Sequence, residues 1–204
     1  MDTKSLGIGV VIGIILGITI SPVVLGNSRY GGMMGSKNTS VGNNIDQHFI
    51  EQMIPHHDDA IVMANIALTK AEHQEIKTLS QNIITSQSAE IAEMKEWYKN
   101  WFGKNVPDVS GMTMGHDMHG GNNMMGMGMM GNETDTEAVK NAKPFDKAFI
   151  EEMIPNHQMA VMMAQMLLRT TDRSEMKKLA EDIISAQTKE INQMREWYKT
   201  WYSR

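Results

Sequence analysis

Between Met112 and Met130 the chain sets eight methionines (Met112, Met114, Met118, Met124, Met125, Met127, Met129 and Met130) and two histidines (His116 and His119) among glycines and asparagines. Apolar side chains strung on such a chain gain no burial, so packing does not explain them. Thioether sulfur is a soft ligand that suits Cu(I), and imidazole suits copper generally. A flexible segment can gather several such donors around an ion without strict geometric demands. The competing explanation is a low-complexity spacer that drifted toward methionine. Thioethers carry no titratable proton and form no disulfides, so they stay usable where thiols oxidise, although conversion to sulfoxide would abolish the site.

A second group of donors has helical spacing. Met53 and His57 are four residues apart, as are Met153 and His157, and both pairs fall on apolar faces. A lone histidine on such a face is ordinarily a core residue bonded to a carbonyl or carboxylate. The neighbouring methionine, the second copy and the methionine-rich segment shift the reading to metal ligation. Glu90 and Glu190 share a face with Gln87 and Gln187. A soft ion does not favour carboxylate, so these glutamates are expected to orient the histidines rather than ligate. The first copy adds His48, His56, Asp58 and Asp59, a harder nitrogen–oxygen set. The second has Asn156, Gln158 and Met159 at the last three positions and adds Met162, Met163 and Met166. The stripe Met159, Met162, Met163 and Met166 reads as ordinary core filling. From this contrast the first copy is expected to tolerate Cu(II) and the second to favour Cu(I) or Ag(I). Trp97, Tyr98, Trp101 and Phe102, echoed by Trp197, Tyr198, Trp201 and Tyr202, read as packing that closes each hairpin.

The elements that must position these residues come from a duplication. Residues 49–102 align without gaps onto 149–202, with 25 of 54 positions identical. Each copy reads as two helices. The first carries Met53, His57, Ala60 and Ala64 on one face; the second carries Ile76, Leu79, Ile83, Ile91, Met94, Tyr98 and Trp101. A lone helical hairpin buries only one face, so two related hairpins pair into an all-α four-helix bundle. Pro55 and Pro155 either kink the first helices or mark their starts. Asp46 and Asp146 are the expected N-caps of the continuous, kinked form, and Asp172 with Glu175 resembles a capping box. The hairpins are placed at 45–102 and 144–204, a Gly/Ser/Asn tether at 27–44, and a disordered methionine- and glycine-rich linker at 103–143.

The chain has 204 residues, 21 of them methionine and none cysteine, and a formal charge of −5. The acidic balance argues against nucleic acid as a partner. Without cysteine there are no disulfides, thiolate metal sites or thiol catalysis. Residues 6–25 form an uncharged apolar run of the length that spans a bilayer. Segment 1–26 is therefore either a membrane anchor, the favoured form, or a signal peptide cleaved after Gly26. Either way the remainder is expected outside the cytoplasm, membrane-anchored or periplasmic and secreted. Gly9, Gly13 and Gly17 share a helix face and permit close pairing, which leaves the oligomeric state open.

The run MIPHHDDAIVMA, with QSAEIAEMKEW and QTKEINQMREW downstream, resembles the domain of unknown function 305 family of CopM-like copper metallochaperones. The resemblance covers about 46–102 and 144–202. It implies an exported, ferritin-like four-helix bundle that binds copper and serves copper resistance, with ligand roles on Met53, His56, His57, Met63, Met153, His157 and Met163. Asn156 departs from the pattern, where the family usually has a second histidine, so the second site is expected to be weaker or different. The reading is a copper-binding protein, not an enzyme, that sequesters Cu(I) or delivers it to a copper-transport or cuproprotein partner. The alternatives are a structural or sensory bundle without metal, and a ferritin-like metal-dependent oxidoreductase. The latter needs Glu-x-x-His pairs absent from the motif.

Overall fold

Among the described residues, hydrophobic periodicity is satisfied by five helices: α1 (Thr39–Lys70), α2 (Gln74–Phe102), α3 (Glu133–Asn141), α4 (Phe145–Thr170) and α5 (Ser174–Tyr202). They come from a computed structural model that describes residues 39–107 and 133–202. No strand occurs among the described residues. All of them belong to one compact unit, Ser36–Arg204. No helix among them is long and apolar enough to cross a membrane, and the apolar run 6–25 lies outside them.

α1 pairs with α2 and α4 with α5 as two hairpins, and α1 packs on α4. The hairpins run antiparallel. Asp146, at the start of α4, accepts backbone N–H bonds from Glu72 and His73 in the first hairpin's turn, while Asp46 near the start of α1 pairs with Arg173 in the second hairpin's turn at 3.1 Å. Each core region therefore mixes opposite halves of the two copies. One gathers Phe49, Ile50 and Met53 with Ala160, Ala164 and Leu167; the other gathers Phe149, Ile150 and Met153 with Ala60, Ala64 and Ala67. Residues 57 and 157 fall between these regions, at the middle of the bundle.

The local devices differ from the sequence expectation in four places. Asp46 and Asp146 are buried inside α1 and α4 and cap no helix of their own; Pro144 precedes α4. Their carboxylates instead cross to the other hairpin's turn, where Asp146 accepts backbone N–H groups at a helix start and Asp46 meets the Arg173 guanidinium. α5 begins at Ser174 rather than at an Asp172 cap; the Thr171 hydroxyl accepts the Arg173 N–H, and Glu175 accepts from the Ser174 hydroxyl. Helix α1 starts at Thr39, inside the expected tether. The last part of the expected disordered linker, Glu133–Asn141, is α3. Glycine stops at Gly131, and Val139 gives the segment an apolar anchor in the core.

Pro55 and Pro155 sit inside continuous helices. At the end of α2, Gly103 takes the left-handed conformation (φ 68°) and returns its N–H to the Lys99 carbonyl, a role that suits glycine because it has no Cβ. The aromatic residues that end α2 and α5 grip the opposite turns. His73 stacks on Trp201 at 3.7 Å, and the Arg173 guanidinium lies 4.1 Å over Trp101.

Candidate metal centre

Both His57 and His157 are fully buried, and both are tied to the second helix of their own hairpin. His57 Nε2 lies 2.6 Å from Glu90 Oε2, and His157 Nε2 lies 2.7 Å from Glu190 Oε2. A carboxylate accepts the Nε2–H, and in the neutral form of such a ring Nδ1 carries the lone pair. His57 Nδ1 is buried without a protein partner. His157 Nδ1 differs: it lies 3.5 Å from Asn156 Oδ1, an acceptor, and is paired rather than free. A glutamate holding one ring nitrogen while the other is free is the arrangement that orients histidine toward a metal. The sequence expectation for Glu90 and Glu190 matches this geometry.

His56 is the third imidazole. It is buried, its Nδ1 has no protein partner, and its ring centroid is 6.4 Å from that of His57. Burial, followed by proximity to His57 and then His157, pushes its pKa down to about 4, against a smaller opposing effect from the Asn156 backbone. His56 is therefore neutral near pH 7, the form that can ligate. The same interactions show that antiparallel packing of α1 on α4 brings His56, His57 and His157 within electrostatic reach of one another. One turn before Glu90 and Glu190, the buried Gln87 and Gln187 each keep a side-chain carbonyl oxygen without a protein partner. An ungratified polar lining of this kind is costly in an apolar core.

The methionines divide. Met53 and Met153 are fully buried one turn from His57 and His157, on the same helix faces. They are packed in the two core regions, so their sulfurs serve both core and centre. Met63 is buried six residues from His57 and Met163 is part-buried six residues from His157, about 9 Å along the axis and on a different helix face. The structure does not gather those two with the histidines. The expectation that Met159, Met162, Met163 and Met166 are ordinary core is corrected: Met162 is 41% exposed and Met166 is 62% exposed. Their stripe is wider than the face α4 turns to the bundle. Met112, Met114, His116, Met118, His119, Met124, Met125, Met127, Met129 and Met130 lie outside the described residues.

Among the described residues no three histidine or carboxylate side chains converge as a ready-made metal cage. A coordination sphere here has to include thioether or a shift of the histidines. Sequence reasoning set His56 beside His57 but missed its apposition to Asn156, because that contact joins helices a hundred residues apart. It also missed the turn-spanning roles of Asp46 and Asp146, although both are duplicated acids flanked by apolar residues.

The family model described as "Domain of unknown function (DUF305)" matches residues 46–198. Among solved structures, CopM in the Cu(II)-bound form is 51% identical, covering 77% of this chain and 97% of that chain with a TM-score of 0.66. CopM in the Cu(I)-bound form is 47% identical, covering 78% and 98% with a TM-score of 0.64. A DUF305 protein from Streptomyces coelicolor shares the fold at 23% identity, with a TM-score of 0.64 over 76% of this chain and 93% of that one. An uncharacterized protein of Acanthamoeba polyphaga mimivirus, L153, is 43% identical over 49 residues, a match spanning 24% of this chain and 32% of the viral protein. The duplicated hairpins and their paired Glu–His bonds thus sit in a helical bundle whose fold is known, and the chain belongs to the DUF305 family.

Proposed function

We propose that the chain binds copper as cargo, Cu(I) by preference and Cu(II) or Ag(I) as well, at a buried centre built from His56, His57 and His157. Met53 and Met153 are the nearest thioethers, and the methionines and histidines of 112–130 supply further soft donors. In this reading the protein holds the ion, or hands it to a copper-transport or cuproprotein partner, outside the cytoplasm. The apolar run 6–25 is the support for export and for a membrane anchor. The observation that carries the proposal is the duplicated bond from Nε2 to glutamate, at 2.6 and 2.7 Å, which at His57 leaves a fully buried Nδ1 with no protein partner. A core histidine needs no partnerless nitrogen; a ligand does. Support also comes from CopM, solved with Cu(I), Cu(II) and silver.

The test is competition for Cu(I) between the full chain and a chelator of known affinity, with a His57→Asn/His157→Asn variant in parallel and helix content followed by circular dichroism. The expected result is a folded variant from which the tightest copper class is lost. Equal affinity in the two proteins, both folded, overturns the assignment of the centre.

A further inference from the structure

The duplication provides an internal control for one more site. By the antiparallel arrangement, the first third of α1 and the last third of α4 form a groove at one end of the bundle. The first third of α4 and the last third of α1 form its counterpart at the other end. In the counterpart, α3 packs against both helices, and Val139 is 4% exposed within the core region that holds Met63, Phe145 and Phe149. In the first groove, of about 620 Å³, Phe49 and Leu167 lie deepest and His48, Gln52, Met163 and Met166 also line it. Val106, in the segment after α2, packs on the matching core region, but no helix among the described residues lies against both α1 and α4 there as α3 does.

Two of the positions that differ between the two grooves change the set of soft donors. His48 stands where the second copy has Ala148, and Met166 stands where the first copy has Ile66. Only Met163 has a donor counterpart, in Met63. The open groove therefore has one imidazole and two thioethers; the covered one has a single buried thioether. Met163 and Met166 are three residues apart on α4, a spacing that sets their Cβ atoms about 5–6 Å apart. Three rotatable bonds let each sulfur reach inward from there. The Gln52 amide nitrogen lies 2.9 Å from His48 Nε2 and donates to it, an exposed hydrogen bond that a metal ion on that nitrogen would displace. Met166 is 62% exposed, which gives it little burial to justify an apolar side chain at that position.

We infer that this groove is a second soft-metal site, in which His48, Met163 and Met166 take Cu(I) or Ag(I) at the bundle surface, separate from the buried histidine centre. The choice of ion rests on the copper-binding reading; the site itself does not. An imidazole and two thioethers match a monovalent soft cation that accepts low coordination numbers. Among the described residues no helix covers the groove, so exchange there requires no unfolding of the core.

The experiment uses the full chain with 13C-labelled methionine methyl groups, titrated with Ag(I), which does not oxidise thioethers. Met163 and Met166 resonances are assigned by substitution, and the His57 and His157 ring signals are followed alongside. The expected result is that both methyl resonances move with Ag(I). In a His48→Ala/Met166→Ile variant, which installs the second groove's residues at exposed positions, the Met163 response should need at least tenfold more Ag(I). A Met166 methyl that stays fixed at saturating Ag(I), or a Met163 response unaltered in the variant, overturns the groove site. Groove methyls that move while the His57 and His157 rings do not would support the groove and sink the buried centre. Rings that move while the groove methyls stay fixed would do the reverse.

Discussion

The two copies of the hairpin fold alike and keep the same glutamate–histidine bond, yet they surround it differently. In the first copy His57 has His56 beside it, with Asp58 and Asp59 following. In the second, His157 has Asn156, Gln158 and Met159. Positions that face the common core, such as 50, 53, 57, 60, 64, 83, 91 and 94, carry the same residue in both copies. Positions at the centre's edge, such as 56, 58 and 59, diverge. The comparison teaches that the Glu–His pair is part of the scaffold's own geometry, while the character of each half is set by what lies next to it. A nitrogen- and oxygen-rich first half and a sulfur-rich second half are two environments built on one backbone.

Removing ligands should break the comparison most strongly. His57→Ala and His157→Ala should each weaken Cu(I) binding by more than the roughly 10–100-fold that loss of an orienting partner costs. The first should bind Cu(II) worse than the second does, because His56 and the aspartates lie on its side. Affinities measured for both oxidation states in both variants check this, and identical profiles would remove the asymmetry. Next in size, Glu90→Gln and Glu190→Gln should each lower copper affinity by about 10–100-fold and by similar factors, since the two bonds are nearly equal in length. A tenfold disparity between them would show that one glutamate has another role.

The pH dependence sharpens the difference at positions 56 and 156. His56 has its folded pKa pushed down to about 4 from 6.5, mainly by burial. Because the folded value is depressed, its stabilising share is whole above pH 6.5 and is lost as pH falls toward 4. That share is about 3 kcal/mol for the metal-free chain. Asp59 works the other way. Burial and then Asp58 raise its pKa to about 6, so its ionised form disfavours folding at neutral pH and the penalty eases on acidification. Thermal unfolding from pH 7 to 4 should therefore show a steeper fall in Asp59→Asn than in the parent chain, and a shallower one in His56→Asn. Matching slopes in all three would contradict the assignment.

Smaller still is the contrast between methionines. Met53→Ala should cost about 2–5 kcal/mol of stability because its side chain is fully buried, whereas Met166→Leu, 62% exposed, should stay within about 0.5 kcal/mol. Denaturant titration of the metal-free variants measures both. A large loss for Met166→Leu would return that methionine to the core.

Periodicity alone gives the two hairpins, since apolar residues three and four apart specify buried helix faces and the duplication specifies their pairing. It also sets Met53 one turn from His57 and Glu90 on the inner face of its helix. The exposure of Met162 and Met166 was not legible, because a stripe of methionines has helical spacing whether it faces a neighbour or water. Nor was α3, a nine-residue helix whose stability depends on docking Val139 rather than on its own propensity.

Local spacing therefore determines which donors share a face, because helix geometry is fixed within a few residues. Tertiary packing decides which donors have partners. Only the antiparallel crossing of α1 on α4 brings His56 to Asn156, sends Asp46 and Asp146 to the opposite turns, and makes two related grooves of which α3 covers one. Those outcomes depend on contacts about a hundred residues apart in the chain, where no spacing rule reaches. The His57–Glu90 bond, between adjacent helices of one hairpin, stands between the two cases: the sequence names the pair, and the fold decides which ring nitrogen is free.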